Sequence, residues 1–300
     1  MHMFIGILLI TVAVFALIGV AFINQASFGK LPQGKRLERI RQSPHYKDGV
    51  FQNLHETVMM TSDKSRFRSI LDFLFRKVEG LRPEKEIPVI KTNLRGISNS
   101  KDVLVWFGHS SYLIQIDGKR ILVDPVFCMA SPVSFVNKPF PATYAYRPND
   151  MPDIDYLIIT HDHWDHLDYQ TIMQLKDRIG KIICPLGIGE HFEYWGFEED
   201  QLIELDWYEN STSGNEAGLS IHCLPARHFS GRGLTANQTL WASFLIETSS
   251  KKIFIGGDGG YDTHFKEIGN HYPGIDLAIL ENGQYNEDWK YIHTMPSELS

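Results

Sequence analysis

Thr160-His161-Asp162-His163-Trp164-Asp165-His166-Leu167-Asp168 decides the fold of this chain. It follows the apolar run Tyr156–Ile159, which reads as a buried strand. Imidazoles at 161, 163 and 166 and a carboxylate at 165 would be costly to bury without a partner. A metal removes that cost. His161 and His163 lie two apart on an extended turn, so both rings can face one ion. Asp165 and His166 sit where the next helix should begin and can turn towards a second ion. Imidazole nitrogen with carboxylate oxygen suits Zn²⁺, with Fe or Mn as substitutes. A polar surface loop is the bland alternative, and the strand just before it argues against that.

Further candidates occupy strand ends in the same way. His228 follows the strand Ser220–Leu224 and is the natural third ligand of the first ion. Asp258 follows Phe254-Ile255-Gly256-Gly257, where glycines allow close backbone approach and a carboxylate can bridge two metals. It could also cap a helix over Tyr261–Ile268. Asp124, in Leu122-Val123-Asp124-Pro125, is placed to orient a ligand or the turn. His109 lines the cleft, orients a ligand or is structural. His264 and His271 read as surface, and His45, His55, His191 and His222 as structural.

Strands are expected at Val103–Trp106, Tyr112–Ile116, Arg120–Val123, Tyr156–Thr160, Lys181–Cys184, Ser220–Leu224, Trp241–Glu247, Lys252–Ile255 and Leu277–Leu280. Asp117-Gly118 is a two-residue hairpin turn. Helices are expected around Tyr169–Arg178, Gly189–Tyr194 and Tyr261–Ile268. Hairpins followed by strand–helix alternation give an α/β class, an α+β sandwich of sheets covered by helices.

Composition narrows the function. Lys+Arg 29 against Asp+Glu 36 leaves a net charge of −7 over 300 residues, which argues against a nucleic-acid partner. Cys128, Cys184 and Cys223 have no CxxC spacing, so neither a zinc ribbon nor a disulfide framework is expected. Met3–Ile23 carries no charge and reaches roughly 30 Å as a helix, enough to span a bilayer. No Lys or Arg precedes it, whereas Lys30, Lys35, Arg36, Arg39 and Arg41 follow. The positive-inside rule then puts a single-pass anchor at 1–24 and the remaining domain in the cytoplasm. Residues 25–100 read as a basic leader. Within it Phe28–Asn53 is a surface linker, and Ser65–Leu81 is an amphipathic helix, docked on the domain or lying on anionic lipid. Residues 101–300 form the catalytic domain.

The pattern HxHxDH after a strand, a distant His and then an Asp after an apolar strand resembles the metallo-β-lactamase fold. Trp106-Phe107-Gly108-His109-Ser110-Ser111, Asp124-Pro125-Val126-Phe127, Pro225 to Ser230, Gly257 to Tyr261 and Glu281 to Tyr285 extend the likeness. With them the chain is similar to N-acyl-phosphatidylethanolamine-hydrolysing phospholipase D and its bacterial relatives. The resemblance implies an αββα sandwich with His161, His163 and His228 on one Zn²⁺, and Asp165, His166 and a bridging Asp258 on the other. It implies one more histidine on a late strand, so the chain is expected to lack the C-terminal end of the fold and to hold its second ion less tightly. It also places His293 near the substrate. Catalytic roles are therefore expected for Asp165, His293 and His109. The expected chemistry is attack of a metal-activated water on a membrane-lipid phosphodiester. A lactonase or small-ester hydrolase, or a poorly active truncated domain, are the alternatives.

Overall fold

The computed structural model describes residues 2–299 apart from 63–64, 66–67, 69–70, 73–74, 76–78, 81, 134–135, 141–144, 213–217 and 283–285. Helix α1, His2–Ile23, is apolar apart from His2 and Thr11, and its span Met3–Ile23 is long enough to cross a membrane. Helix α2, Gly34–Gln42, and the short hairpin β1 (Tyr46–Lys47) and β2 (Val50–Phe51) follow.

A six-stranded sheet comes next. Its strands are β3 (Val103–Gly108), β4 (Ser111–Ile116), β5 (Lys119–Val123), β6 (Ile154–Ile158), β7 (Ile179–Pro185) and β8 (Leu202–Leu205), in that spatial order. β3, β4 and β5 are antiparallel, and β5 to β8 run parallel. Asp117 and Gly118 have φ of 48° and 76° between Ile116 and its partner Lys119, as a two-residue hairpin of this handedness requires. Helix α3 (Tyr169–Leu175) joins β6 to β7, and α4 (Gly189–Tyr194) joins β7 to β8. A five-stranded sheet contains β9 (Asn210–Thr212), β10 (Leu219–Leu224), β11 (Ser243–Thr248), β12 (Lys252–Ile255) and, after helix α5 (Thr263–His271), β13 (Leu277–Ile279).

Side-chain alternation stacks these layers. Ile114, Ile121, Ile158 and Ile183 of the first sheet meet Ile221, Phe244, Ile246 and Ile255 of the second in one buried core. The other face of the first sheet presents Leu113, Leu122, Leu157 and Ile182, which are paired across the strands, to Ile172 and Leu175 of α3 and Phe192 of α4. The second sheet turns Leu224, Leu245 and Phe254 towards Ile268 of α5. Strands buried on both faces carry unbroken apolar runs, as at Tyr112–Ile114, Ile121–Val123, Tyr156–Ile158 and Ile182–Cys184. The result is the expected αββα sandwich.

Several expectations are corrected. Phe28–Asn53 is not a surface linker: Ile40 and Phe51 are fully buried in the core between the sheets. The basic residues of α2 mask its Leu37/Ile40 stripe, and Arg36 is neutralised by Glu190, Glu193 and Glu204 at 2.8, 2.8 and 2.6 Å. Ile40→Ala should therefore cost about 2–5 kcal/mol in chemical denaturation, whereas a linker position would show almost no change. The leader also gives Leu94 to the core outside the first sheet. β8 and β9 were not expected, and α5 starts at Thr263 with Asp262 as its cap. His264 is buried rather than at the surface, and burial lowers its pKa to about 4. Stability should fall as pH drops from 6.5 towards 4, where the unfolded chain takes up this proton and the folded one resists it. A His264→Gln variant should show a flatter decline over that window in denaturant titrations. The helix expected over Ser65–Leu81 lies mostly outside the described residues.

Candidate metal centre

The strands of both sheets deliver their chemistry at one edge. Asp124 follows β5, and His161 comes just after β6. His228, Asp258 and Glu281 follow β10, β12 and β13. The rigid sheet ends fix where these side chains stand, and the loops between them only have to turn the rings inward.

His161 Nε2 lies 2.9 Å from His163 Nδ1, which lies 3.3 Å from His228 Nε2. The far nitrogens of two rings are already committed. His228 Nδ1 donates to the Ile292 carbonyl at 2.8 Å, and His161 Nδ1 lies 3.0 Å from Thr160 Oγ1. Thr160 Oγ1 spends its own proton on Asp124 Oδ2 at 2.6 Å, so it accepts from His161. His161 Nε2 and His228 Nε2 thus present lone pairs to the same point. A proton on His163 Nδ1 could serve one of them, and the third nitrogen would stay unpaired. A cation serves all three.

The second group adjoins the first. His166 Nδ1 donates to Asp124 Oδ2 at 2.8 Å, so Nε2 is the atom that faces the cluster. That Nε2 is fully buried, makes no hydrogen bond and stands 3.2 Å from Asp258 Oδ2. A buried nitrogen without a hydrogen-bond partner beside a carboxylate is the donor arrangement of a metal site. Asp258 Oδ2 also lies 4.0 Å from His228 Nε2 and 3.9 Å from His293 Nδ1, so this carboxylate stands between the two groups. His109 Nε2 is 3.3 Å from Asp165 Oδ2, and both converge with His166. His109 holds a left-handed φ of 46°, pinned by the Trp106 indole N–H to its carbonyl at 2.8 Å.

Charge follows from burial. Burial first, then the neighbouring imidazoles, keep His161 and His228 well below the usual histidine range, so they are neutral donors. For His166 burial pulls the same way, but Asp258 and Asp124 outweigh it and raise the pKa. Burial opposes ionisation of Asp165 and Asp258, yet hydrogen bonds and nearby imidazoles hold both carboxyls below their ordinary range.

His161, His163, Asp165, His166, His228 and Asp258 all stand at this one edge, and Asp124 reaches His166 and Thr160. Asp258 does not cap α5. His293 joins the cluster through Glu281, whose Oε2 accepts from its Nδ1 at 2.8 Å. Glu281 was not anticipated as a site residue. Its signal was available: it follows the apolar run Leu277–Leu280, the position Asp124 and Asp258 hold behind their own strands. Arg232 was also missed. It is buried, its pKa is lowered to about 10 by that burial, and its Nη1 donates to the carbonyls of Asp162 and Leu167.

Residues 119–299 match the family model described as a beta-lactamase superfamily domain. The chain belongs to that superfamily and is a metal-dependent hydrolase of the metallo-β-lactamase fold. Uncharacterized protein Rv0906 of Mycobacterium tuberculosis is 38% identical over 261 residues, 86% of this chain and 69% of that protein. Outer membrane protein RomA of Klebsiella pneumoniae is 65% identical over 82 residues, 27% of this chain and 62% of that protein. N-acyl-phosphatidylethanolamine-hydrolyzing phospholipase D 1 of Caenorhabditis elegans is 32% identical over 206 residues, 64% of this chain and 57% of that protein.

Proposed function

We propose that this protein is a phosphodiesterase that cleaves N-acyl-phosphatidylethanolamine-like membrane lipids with two zinc ions. The observation that carries it is the pair of adjoining donor groups, His161/His163/His228 and Asp165/His166, with Asp258 between them. The name of the nematode relative supports the substrate class, as does an apolar helix that leads directly into the site. Ions held there would activate water near neutral pH and stabilise charge on the attacked phosphorus and the leaving oxygen.

The chain's own residues set up that reaction. Thr160, Asp124 and the Ile292 carbonyl hold the outer nitrogens of His161, His166 and His228, so the other nitrogen of each is turned inward. Asp165, oriented by His109, accepts a hydrogen bond from the attacking water and directs it. His293, backed by Glu281 and 3.9 Å from Asp258, would donate to a phosphoryl oxygen. No side-chain nucleophile is needed.

The helix α1 is read as a single-pass anchor. The basic residues behind it favour a cytoplasmic domain, whereas the name of the RomA relative points to an outer membrane. Protease protection in intact cells and spheroplasts separates the two. The function is tested with zinc-loaded full-length protein on a panel of lipid phosphodiesters, lactones and small esters. Turnover of the N-acylated phospholipids, abolished by chelation and restored by zinc, is the expected result. Turnover confined to lactones would replace the phosphodiesterase reading with the lactonase one, and none with any substrate would favour a poorly active domain.

A further inference from the structure

The segment directly behind α1 is threaded into the loop that carries His161 and His163. Trp195 Nε1 donates to the Ala26 carbonyl at 2.8 Å, and Arg232 Nη2 donates to the Ser27 carbonyl at 2.8 Å. The Phe28 ring meets Trp164 edge-on, with centroids 4.9 Å apart. The Lys30 N–H donates to His191 Nδ1 at 2.9 Å. Gly29 passes so close, at φ 70°, that a Cβ there would overlap the His191 ring.

The same side chains hold the ligand loop at their other ends. Because His191 Nδ1 accepts from Lys30, its proton sits on Nε2, which lies 3.2 Å from Asp162 Oδ2. Asp162 separates the two ligand histidines and points away from their donor atoms. It also accepts from Gly231 N at 2.7 Å and Thr239 Oγ1 at 2.9 Å. Arg232 Nη1 holds the carbonyls of Asp162 and Leu167 at 2.8 and 2.6 Å, at the two ends of the motif. Its guanidinium lies over the Trp164 ring, 4.3 Å from the centroid. One arginine and one histidine therefore clamp the ligand loop and the chain emerging from α1 at once.

We propose that Ala26–Lys30 is a positioning strap for the His161–His166 loop, so that the centre's grip on its ions depends on the residues joining α1 to the domain. This rests on the metal-centre reading and not on the lipid substrate. A ligand held by outer hydrogen bonds loses affinity when they are removed, typically about ten- to hundred-fold.

The test uses the full chain in detergent, carrying Phe28→Ala, Trp195→Phe, Arg232→Ala or Arg232→Lys. Release of zinc to a chromogenic chelator and amide hydrogen exchange across 160–168 are measured on the folded protein. Phe28→Ala and Trp195→Phe should release zinc about ten-fold faster or more, with raised exchange confined to that loop. Arg232→Lys should fall between parent and Arg232→Ala, because an ammonium cannot reproduce the guanidinium fork. If Arg232→Ala does not fold, the two aromatic variants decide the matter. Zinc release and loop exchange at parent rates in both would overturn the strap, even if overall stability dropped. Faster release in a protein that cleaves no lipid phosphodiester would sustain the strap and sink only the substrate.

Discussion

Asp258→Ala is expected to leave at most one tightly bound ion and to lower kcat/KM about 10³-fold or more. Its Oδ2 stands 3.2 Å from His166 Nε2 and 4.0 Å from His228 Nε2, so one carboxylate faces both donor groups. It is also the anion that offsets several imidazoles crowded into a buried space. Metal-assisted stabilisation of transition-state charge is worth several kcal/mol, and each 1.36 kcal/mol is a factor of ten in rate. Asp258→Asn keeps the shape but halves the ligand capacity and removes the charge, and should fall nearly as far. His163→Ala disturbs one group only, so it should lose activity while keeping an ion at His166 and Asp258. Native mass spectrometry counts the ions, and initial rates give the activity. Two retained ions with activity within ten-fold of the parent would remove Asp258 from its bridging position.

What was legible in the sequence was local. The HxHxDH motif shows because its donors are near neighbours, and the Asp117-Gly118 turn because two residues suffice to make it. The apolar runs of β4 to β7 declare strands buried on both faces. The missed parts depend on distance or on mixed signals. α2 reads as basic, and its Leu37/Ile40 stripe is apparent only once Glu190, Glu193 and Glu204 neutralise Arg36. β8 carries Glu204 in a short run, which dilutes its alternation. His264 lies on an amphipathic helix whose inner face cannot be known before the sheet beneath it is placed. The strap joins Ala26–Lys30 to His191, Trp195 and Arg232, and no local period encodes such pairings. Glu281 and His293 are each marked locally, but their pairing is not.

The stability of this fold and the geometry of its site meet in Asp124, which makes Asp124→Ala the other substitution of large expected effect. The carboxylate is buried and accepts three hydrogen bonds: Thr160 N at 2.8 Å, Thr160 Oγ1 at 2.6 Å and His166 Nδ1 at 2.8 Å. Alanine strands all three donors in the interior, which costs about 3–5 kcal/mol for a buried charged partner removed. It must also adopt the left-handed φ of 41°, which aspartate and asparagine tolerate better than alanine. Asp124→Asn keeps the backbone and one acceptor oxygen, so about 1–3 kcal/mol is expected. The two variants should converge in metal binding. Either one frees His166 to rotate or to change tautomer, and affinity at the His166/Asp258 group should fall about ten- to hundred-fold. The His161/His163/His228 group should suffer less, since only His161 depends on Asp124, and it does so through Thr160. Denaturant titration of the metal-free protein separates the stability loss from the binding loss, and zinc titration then ranks the two groups. An alanine variant within 1 kcal/mol of the parent would mean that water replaces the carboxylate, and that the sheet ends alone are rigid enough to aim His166.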